Sequence, residues 1–325
     1  MSHALRSKLK QLSFKHQNNK IWYYFRNNLR RLFPSFIFRC QLEKKLRSLQ
    51  EFDVDYIQKR VDYYNGLTNV CPLPPNAPEL SELKLGKKMK VYYFDSYEYT
   101  RFFNSQLKAE FLFGDIIDIP EVPSFVKSRP IDGDNSNSIV LKMDKIRHFR
   151  LIRDRKKFEN KKDMLRFRGQ VYQPHRKRFL EMYYGHPMCD IGQTNKNTKQ
   201  NLQFLIERKT VDEHLDYRFI LSLEGNDVAS NLKWVMSSNS LAVMPKPTYE
   251  TWFMEGTLIP NYHYVLIKDD YSDLEERLRY YSENIEESLK IIENAHQFVA
   301  QFKNKKREDL ISLKVIKKYF EKTGQ

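Results

Sequence analysis

YRFILSLEGNDVASNLKW, residues 217–234, is the stretch on which the fold turns. Residues 217–223 form a short apolar run with the length of a buried strand. The run stops at Glu224-Gly225-Asn226-Asp227, and residues 229–236 take up helical spacing at once. A strand that ends in a polar, Gly-containing turn before a helix is where α/β folds build ligand sites. The free N–H groups and positive dipole of the helix start suit an anion such as a diphosphate. The same pattern also describes an ordinary strand–loop–helix connection, so the flanking sequence has to decide.

A second apolar run, 241–244, follows and ends at Pro245-Lys246-Pro247. A helical segment with Trp252 and Glu255 leads to Pro260, and a third run, 263–267, ends at Lys268-Asp269-Asp270. Ser272-Asp273-Leu274-Glu275 then opens a helix with a capping-box pattern. Strand and helix alternate here as in the βαβ units of a parallel sheet.

Upstream, residues 41–65 carry helical spacing, and Cys71-Pro72-Leu73-Pro74-Pro75 is a loop because clustered Pro sustains neither helix nor central strand. Residues 91–94 and 111–113 read as strands. Residues 119–138, rich in Pro, Asp, Asn and Ser, read as a long loop, and 139–141 as a short strand. Residues 164–167 are a further strand ending at Arg168-Gly169, and 193–201 read as loop. Helices are expected over 272–302 and 309–320.

At 325 residues the chain exceeds the usual size of a single core, so two domains are the default. A hydrophobic content of 41% supplies packed cores. There is neither a G-x-G-x-x-G fingerprint nor a P-loop, so nucleotide binding has to rest on strand ends and helix starts. Cys40, Cys71 and Cys189 show no C-x-x-C spacing and read as reduced thiols. No run approaches the roughly 20 apolar residues of a membrane span, and the N-terminus lacks the continuous apolar stretch of a cleaved signal.

The net charge is +15, and residues 1–50 hold twelve Lys and Arg against the single acid Glu43. Trp22, Phe25, Leu29, Phe33 and Phe36 are interleaved with them. Such a mixture fits an anionic membrane surface through residues 1–40, a helical extension packed on the body through its aromatics, or single-stranded nucleic acid.

Phe167-Arg168-Gly169, His214-x-x-Tyr217-Arg218, and Gly225 followed by Ser230-x-x-Lys233 form an ordered series. Tyr249-Glu250-x-Trp252, Pro260-x-x-His263-Tyr264-Val265 and Asp270-x-Ser272-Asp273-Leu274 continue it. Over residues 110–300 this series resembles glycosyltransferase family 90, whose members include protein O-glucosyltransferases, capsule xylosyltransferases and bacterial lipopolysaccharide-type sugar transferases. The bacterial members resemble it most. The resemblance implies an α/β, GT-B-like fold with two Rossmann-like domains facing a cleft, preceded by a basic helical extension. The layout expected is an extension over 1–85, an acceptor-side domain over 86–160, a nucleotide-sugar domain over 161–303 and a terminal helix over 304–325 that crosses back to the first domain. It implies an inverting, metal-independent transferase that uses a UDP-sugar and no other cofactor. The acceptor would be a lipopolysaccharide-type glycan at the cytoplasmic, inner face of a bacterial inner membrane, with no nucleic acid as partner.

Inverting transfer needs a base for the acceptor hydroxyl and cations or N–H dipoles for the departing diphosphate. Asp118 precedes an x-Pro-x-Val-Pro turn, as the family's catalytic aspartate does; Asp115 is its competitor, and either could instead cap the turn. For the donor the candidates are Arg168 beside Gly169, Arg176 in the helix that follows, and the Gly225, Asn226, Asp227 turn with Ser230, Asn231 and Lys233. Arg suits phosphate because its planar fork makes paired hydrogen bonds. Family members often carry Arg near position 231, and the Asn here leaves that contact in doubt. Glu250 and Glu255, flanking Trp252, could accept bonds from sugar or ribose hydroxyls, while Trp252 itself fits a core equally well. Asp132-Gly133-Asp134 mimics a metal-binding pattern, but its loop is explained by turn chemistry, so no metal site is expected. A basic nucleic-acid-binding protein and a transferase fold without activity are the alternatives.

Overall fold

The computed structural model describes residues 19–196 and 201–325. The described residues hold ten strands: β1 Glu110–Leu112, β2 Ser124–Val126, β3 Ser128–Pro130, β4 Ser138–Val140, β5 Lys162–Gly169, β6 Cys189–Gln193, β7 Tyr217–Leu221, β8 Leu241–Met244, β9 Tyr249–Thr251 and β10 Val265–Leu266. With their helices they group into two compact units. One comprises Phe149–Pro247 and Thr257–Ala300; the other comprises Asn19–His148, Thr248–Gly256 and Gln301–Gln325. The architecture is mixed α/β, with parallel sheets in both units and helices at the start of the described chain.

The first unit is built on a five-stranded parallel sheet of order β10-β8-β7-β5-β6. Its strands are the apolar runs of the sequence. All four residues of β8 are buried, as are Phe219, Ile220 and Leu221 of β7, which is the pattern of parallel strands covered on both faces. The helix Pro174–Tyr183 starts with Pro, whose missing N–H costs nothing there. It lays Phe179 and Leu180 into a core shared with Phe167, Phe219 and Val243. The chain runs from β5 outward to β6, returns past β5 to β7, and continues through β8 to β10. The winding therefore reverses between β5 and β7, the kind of switch point at which open α/β sheets bind ligands beyond their strand ends.

The second unit carries a parallel sheet of order β1-β2-β4, an antiparallel β3–β9 pair, and the helices Lys20–Arg31, Val54–Tyr64, Lys90–Thr100 and Lys305–Lys322. Trp252 is fully buried and lies face to face on Tyr64, with ring centroids 3.8 Å apart and planes 8° apart. Its indole N–H donates to Glu308 at 2.6 Å, and Arg60 reaches the same carboxylate at 3.3 Å. Lys142 completes the cluster at 3.5 Å. Four segments far apart in sequence are tied at one point.

Several local expectations are corrected. Residues 91–94 belong to the helix Lys90–Thr100, which buries Tyr92, Tyr93, Phe94, Asp95, Ser96 and Tyr99; so short an apolar run has the same look in a strand and in a buried helix. The loop over 119–138 contains β2 and β3, whose polar residues Ser124, Ser128 and Arg129 are buried with partners. Residues 249–251 form a strand rather than helix because β3 supplies a ladder. The helix over 229–236 is the single turn Leu232–Val235. No capping box closes at Ser272, because its hydroxyl donates to Asp270 at 2.8 Å and Glu275 pairs with Arg279. The helical stretch 41–65 is broken by a 3-10 turn, Ser48–Glu51. All three cysteines are free, and among the described residues no helix is long and apolar enough to cross a membrane.

Replacing Glu308 by Ala would leave the buried Arg60 guanidinium without its counter-charge and the Trp252 N–H without its acceptor. Removing one partner of a buried pair costs about 3–5 kcal/mol. The urea midpoint of the Glu308→Ala variant should fall accordingly with an unchanged slope; a loss below about 1 kcal/mol would show that the cluster is not a keystone.

Candidate functional site

The β5/β7 switch point is shaped by one side chain. Arg176, two residues into the helix Pro174–Tyr183, donates from Nη1 to the carbonyl of Gln170 at 2.8 Å, just beyond β5. Its Nη2 and Nε donate to the carbonyls of Leu223 and Glu224, both at 2.7 Å, just beyond β7. His175 meets the Glu224 carbonyl at 2.9 Å from Nε2. Among the described residues Arg176 hydrogen-bonds only to main-chain carbonyls, and burial pushes its pKa down to about 10. Its positive charge thereby clamps the two strand-end loops together.

A pair of further guanidiniums lies along β5. Alternation sends Leu165 and Phe167 into the core and leaves Arg166 and Arg168 together on the other side. Both pair with Asp190 of β6, and Tyr217 of β7 donates to the same carboxylate at 2.5 Å. Burial opposes ionisation of Asp190, but the Tyr217 hydrogen bond and the two guanidiniums outweigh it and hold its pKa below the usual carboxylate range. Burial and the neighbouring Arg168 push Arg166 below the ordinary guanidinium value. Two cations share one anion, so this face too carries an excess of positive charge.

Gly169 closes β5 where an added Cβ would lie 2.6 Å from the Phe167 ring, so glycine is required there by its own neighbour. Gly225 lies beside the guanidinium, where a Cβ would meet Arg176 Nη2 at 3.4 Å, an ordinary contact distance. Asn226 is exposed and accepts from Gln173 at 2.8 Å, and Asp227 is buried with its carbonyl bonded to the Gly225 N–H at 3.0 Å. Ser230 is exposed. Asn231 donates to the Leu221 carbonyl at 2.9 Å instead of capping the short helix. Lys233 is fully buried. Hydrogen-bonding capacity is left over at the strand ends: Ser222 Oγ and Asn195 Nδ2 are buried without a partner among the described residues.

Glu250 and Glu255 lie in the other unit and are bound up in it. Glu250 accepts from Arg129 Nε at 2.8 Å and from Tyr63, and the Gly256 N–H approaches it at 3.3 Å. Glu255 accepts from the Thr251 N–H at 2.7 Å and from its hydroxyl. Both carboxylates are buried, and these contacts hold the β3–β9 pair and the turn after it. Asp115 and Asp118 follow β1 and differ sharply. Asp115 is ion-paired with the buried Lys127 and lies 3.4 Å from Arg147. Asp118 is exposed and has no side-chain hydrogen bond or ion pair among the described residues. Asp134 of the Asp-x-Asp pattern is engaged in its own turn, accepting from the Ser136 N–H at 3.1 Å.

The sequence reading passed over Arg166, Asp190 and the unpaired Ser222. The first pair had a signal: Arg166-x-Arg168 puts two cations on one strand face, which demands a counter-charge from a neighbouring strand.

The pattern of glycosyl transferase family 90 matches residues 140–321. Over 264 residues the chain is 45% identical to the O-glucosyltransferase LpsA of Dichelobacter nodosus, a match that covers 81% of this chain and 82% of that one. The chain belongs to glycosyl transferase family 90. It is a glycosyltransferase, and its relative from Dichelobacter nodosus is a hexosyl-transferring member.

Arg176→Lys tests the clamp. A single ammonium cannot span three carbonyls in the geometry of a guanidinium, and a buried acceptor left unsatisfied costs about 1–3 kcal/mol. The variant should unfold in urea with a loss of about 2–4 kcal/mol, and unfolding indistinguishable from the parent would deny the clamp its role.

Proposed function

We propose that this enzyme transfers glucose, with inversion, from UDP-glucose to a glycan acceptor in lipopolysaccharide synthesis. The single observation that carries the donor half is the β5/β7 switch point, clamped by Arg176 in a chain of family 90. The name of the O-glucosyltransferase relative supports glucose as the sugar. On this reading the five-stranded unit is the donor side and the other unit the acceptor side of a GT-B-like enzyme. Arg176 and the Arg166–Arg168 pair then supply the positive field in which the diphosphate leaves. Arg168 and Arg176 are already committed to protein partners, so on this reading they act through their field, and of the strand-end hydroxyls Ser230 is the exposed one open to direct contact.

Asp118 is the base on this reading. It would take the proton of the acceptor hydroxyl as that oxygen forms its bond to the anomeric carbon and the bond to the diphosphate breaks. Asp115 is occupied by Lys127 and Arg147, which leaves Asp118 as the carboxylate open to a hydroxyl on this reading. The family resemblance supports chemistry without a metal. The acceptor is membrane-borne on this reading, which sets the enzyme as a peripheral protein on the inner face of the inner membrane.

UDP in the presence of chelator should raise the melting temperature, since a ligand at about a hundred times its dissociation constant adds roughly 2.7 kcal/mol. An unshifted melting curve at millimolar UDP would overturn the donor assignment. Asp118→Asn should cut transfer by about 10²–10⁴-fold while the UDP-induced shift persists. Full activity in that variant with loss in Asp115→Asn would move the base to Asp115; activity in both would place it elsewhere.

A further inference from the structure

Of the readings open to the N-terminal helices, packing on the body and contact with a membrane can both be met by the helix Lys20–Arg31, on opposite faces. On one face Tyr23 donates to Asp95 at 2.8 Å, Arg30 is ion-paired with Glu98, and Asn27 is buried. Arg31 lies 5.9 Å over the Tyr93 ring. Positions 23, 27, 30 and 31 thus pin the helix to the helix Lys90–Thr100. At about 100° per residue, Ile21, Trp22, Phe25, Leu29 and Leu32 fall on the far side. All five are exposed, Trp22 by 58% and Leu32 by 77%. Phe33 and Phe36 continue the exposed apolar surface into the next helix, Ser35–Arg39.

An apolar surface of this extent marks an interaction site, and its border names the partner. Lys20, Arg26, Arg39, Lys44 and Arg47 are exposed and have no ion pair among the described residues. Between residues 19 and 50 the only acid is Glu43. A second copy of the chain docked symmetrically would set these cations against one another. An anionic bilayer meets both features at once, taking the apolar face at the headgroup boundary and the cations on its phosphates.

We infer that this outward face is the membrane-contacting surface of the enzyme, with Trp22, Phe25, Leu29, Leu32, Phe33 and Phe36 entering an anionic bilayer and Arg26 and Arg39 holding its phosphates. The inference deepens the membrane reading given above and rests on it. It also fixes the orientation: the helix lies along the surface, held to the protein by Tyr23 and Arg30.

Trp22 is exposed whereas Trp234 and Trp252 are buried, so acrylamide quenching of the full chain reports mainly Trp22. Vesicles of phosphatidylglycerol in phosphatidylcholine should sediment the protein and shield Trp22; vesicles of phosphatidylcholine alone should do neither. At about fivefold in partition per basic residue, Arg26→Glu with Arg39→Glu should weaken binding by more than about tenfold, as should added salt. Trp22→Ser with Phe25→Ser and Phe33→Ser should abolish sedimentation and leave thermal unfolding and UDP-glucose hydrolysis as in the parent. Equal binding to both kinds of vesicle, or to neither, overturns the inference. So does a Trp22 already shielded without vesicles, with a molecular mass in solution that halves in the triple variant, since a second copy then covers the face. If the triple variant unfolds, the charge-reversed pair still decides, because unaltered vesicle binding by that pair sinks the inference. A chain that binds anionic vesicles but hydrolyses no UDP-sugar would overturn the proposed reaction and leave this surface standing.

Discussion

A guanidinium or ammonium taken out of water must find its charge or its hydrogen bonds inside the protein, or the fold does not form. This chain, with an excess of fifteen positive charges, buries Arg60, Arg129, Lys161, Arg166 and Lys127. Each one is held by an acidic partner, near in sequence for Lys127 and Lys161 and far for Arg60 and Arg129. Arg60 fixes Glu308, Arg129 fixes Glu250, and Lys161 takes Asp154 at 2.6 Å along with the Leu215 carbonyl at 2.8 Å. Arg166 and Arg168 fix Asp190. These demands join residues that apolar packing alone would leave interchangeable, so they specify which strand and which helix come together. Arg176 meets the same demand with carbonyls alone, and the loops that supply them are the ones that end β5 and β7.

This constraint explains which parts of the molecule could be read in advance. The parallel strands β7 and β8 were legible because their residues are mostly apolar and buried, and β5 because Met164, Leu165 and Phe167 run up to the turn at Gly169. Gly169 and the turn at Gly225 fall at strand ends as the pattern suggested. The polar strands β3 and β9 were not legible, since Ser128, Arg129 and Glu250 look like loop residues until they are seen to satisfy one another. The helix Lys90–Thr100 was misread because it is buried over most of its girth and so lacks an amphipathic period. Among the candidate site residues, Gly169 ends β5, Arg176 lies near the start of the helix Pro174–Tyr183 and bonds the carbonyls beyond β7, while Glu250 and Glu255 lie in the other unit. A carboxylate or guanidinium looks the same in sequence whether it serves a ligand or a buried ion pair. The contrast between Asp115 and Asp118, three residues apart, exists only through the cations Lys127 and Arg147.

Asp95 shows how one buried group can have two duties. It accepts from Tyr23, which pins the N-terminal helix, and from the Lys145 N–H at 2.9 Å. Burial, partly offset by Lys145, raises its pKa to about 6. Glu98, one turn further along, feels the same burial, but Lys145, Arg30 and Lys305 outweigh it and hold its pKa far below the carboxylate range. The folded state binds a proton at Asp95 more readily than the unfolded chain does, so that contribution to stability declines as pH rises from about 4 to about 6. Glu98 works in the opposite sense and favours the fold once it is ionised. As the medium becomes less acidic Asp95 contributes less to stability, because its charge is costly to bury even though the Tyr23 bond favours it, while Glu98 contributes more.

The helix-rich unit is assembled from three separate stretches of chain, and Arg60 meets Glu308 across 248 positions. At a synthesis rate of about 5–20 residues per second, roughly 12–50 s pass between the making of one partner and the other. During that interval the nascent chain carries an unneutralised Arg60 and an uncovered Tyr64, while the five-stranded unit is completed in between. The order of emergence from the ribosome is thus the reverse of a simple domain-by-domain sequence: the unit begun first is the one finished last. Its early aromatic helices must wait, exposed, for the segment that seals them.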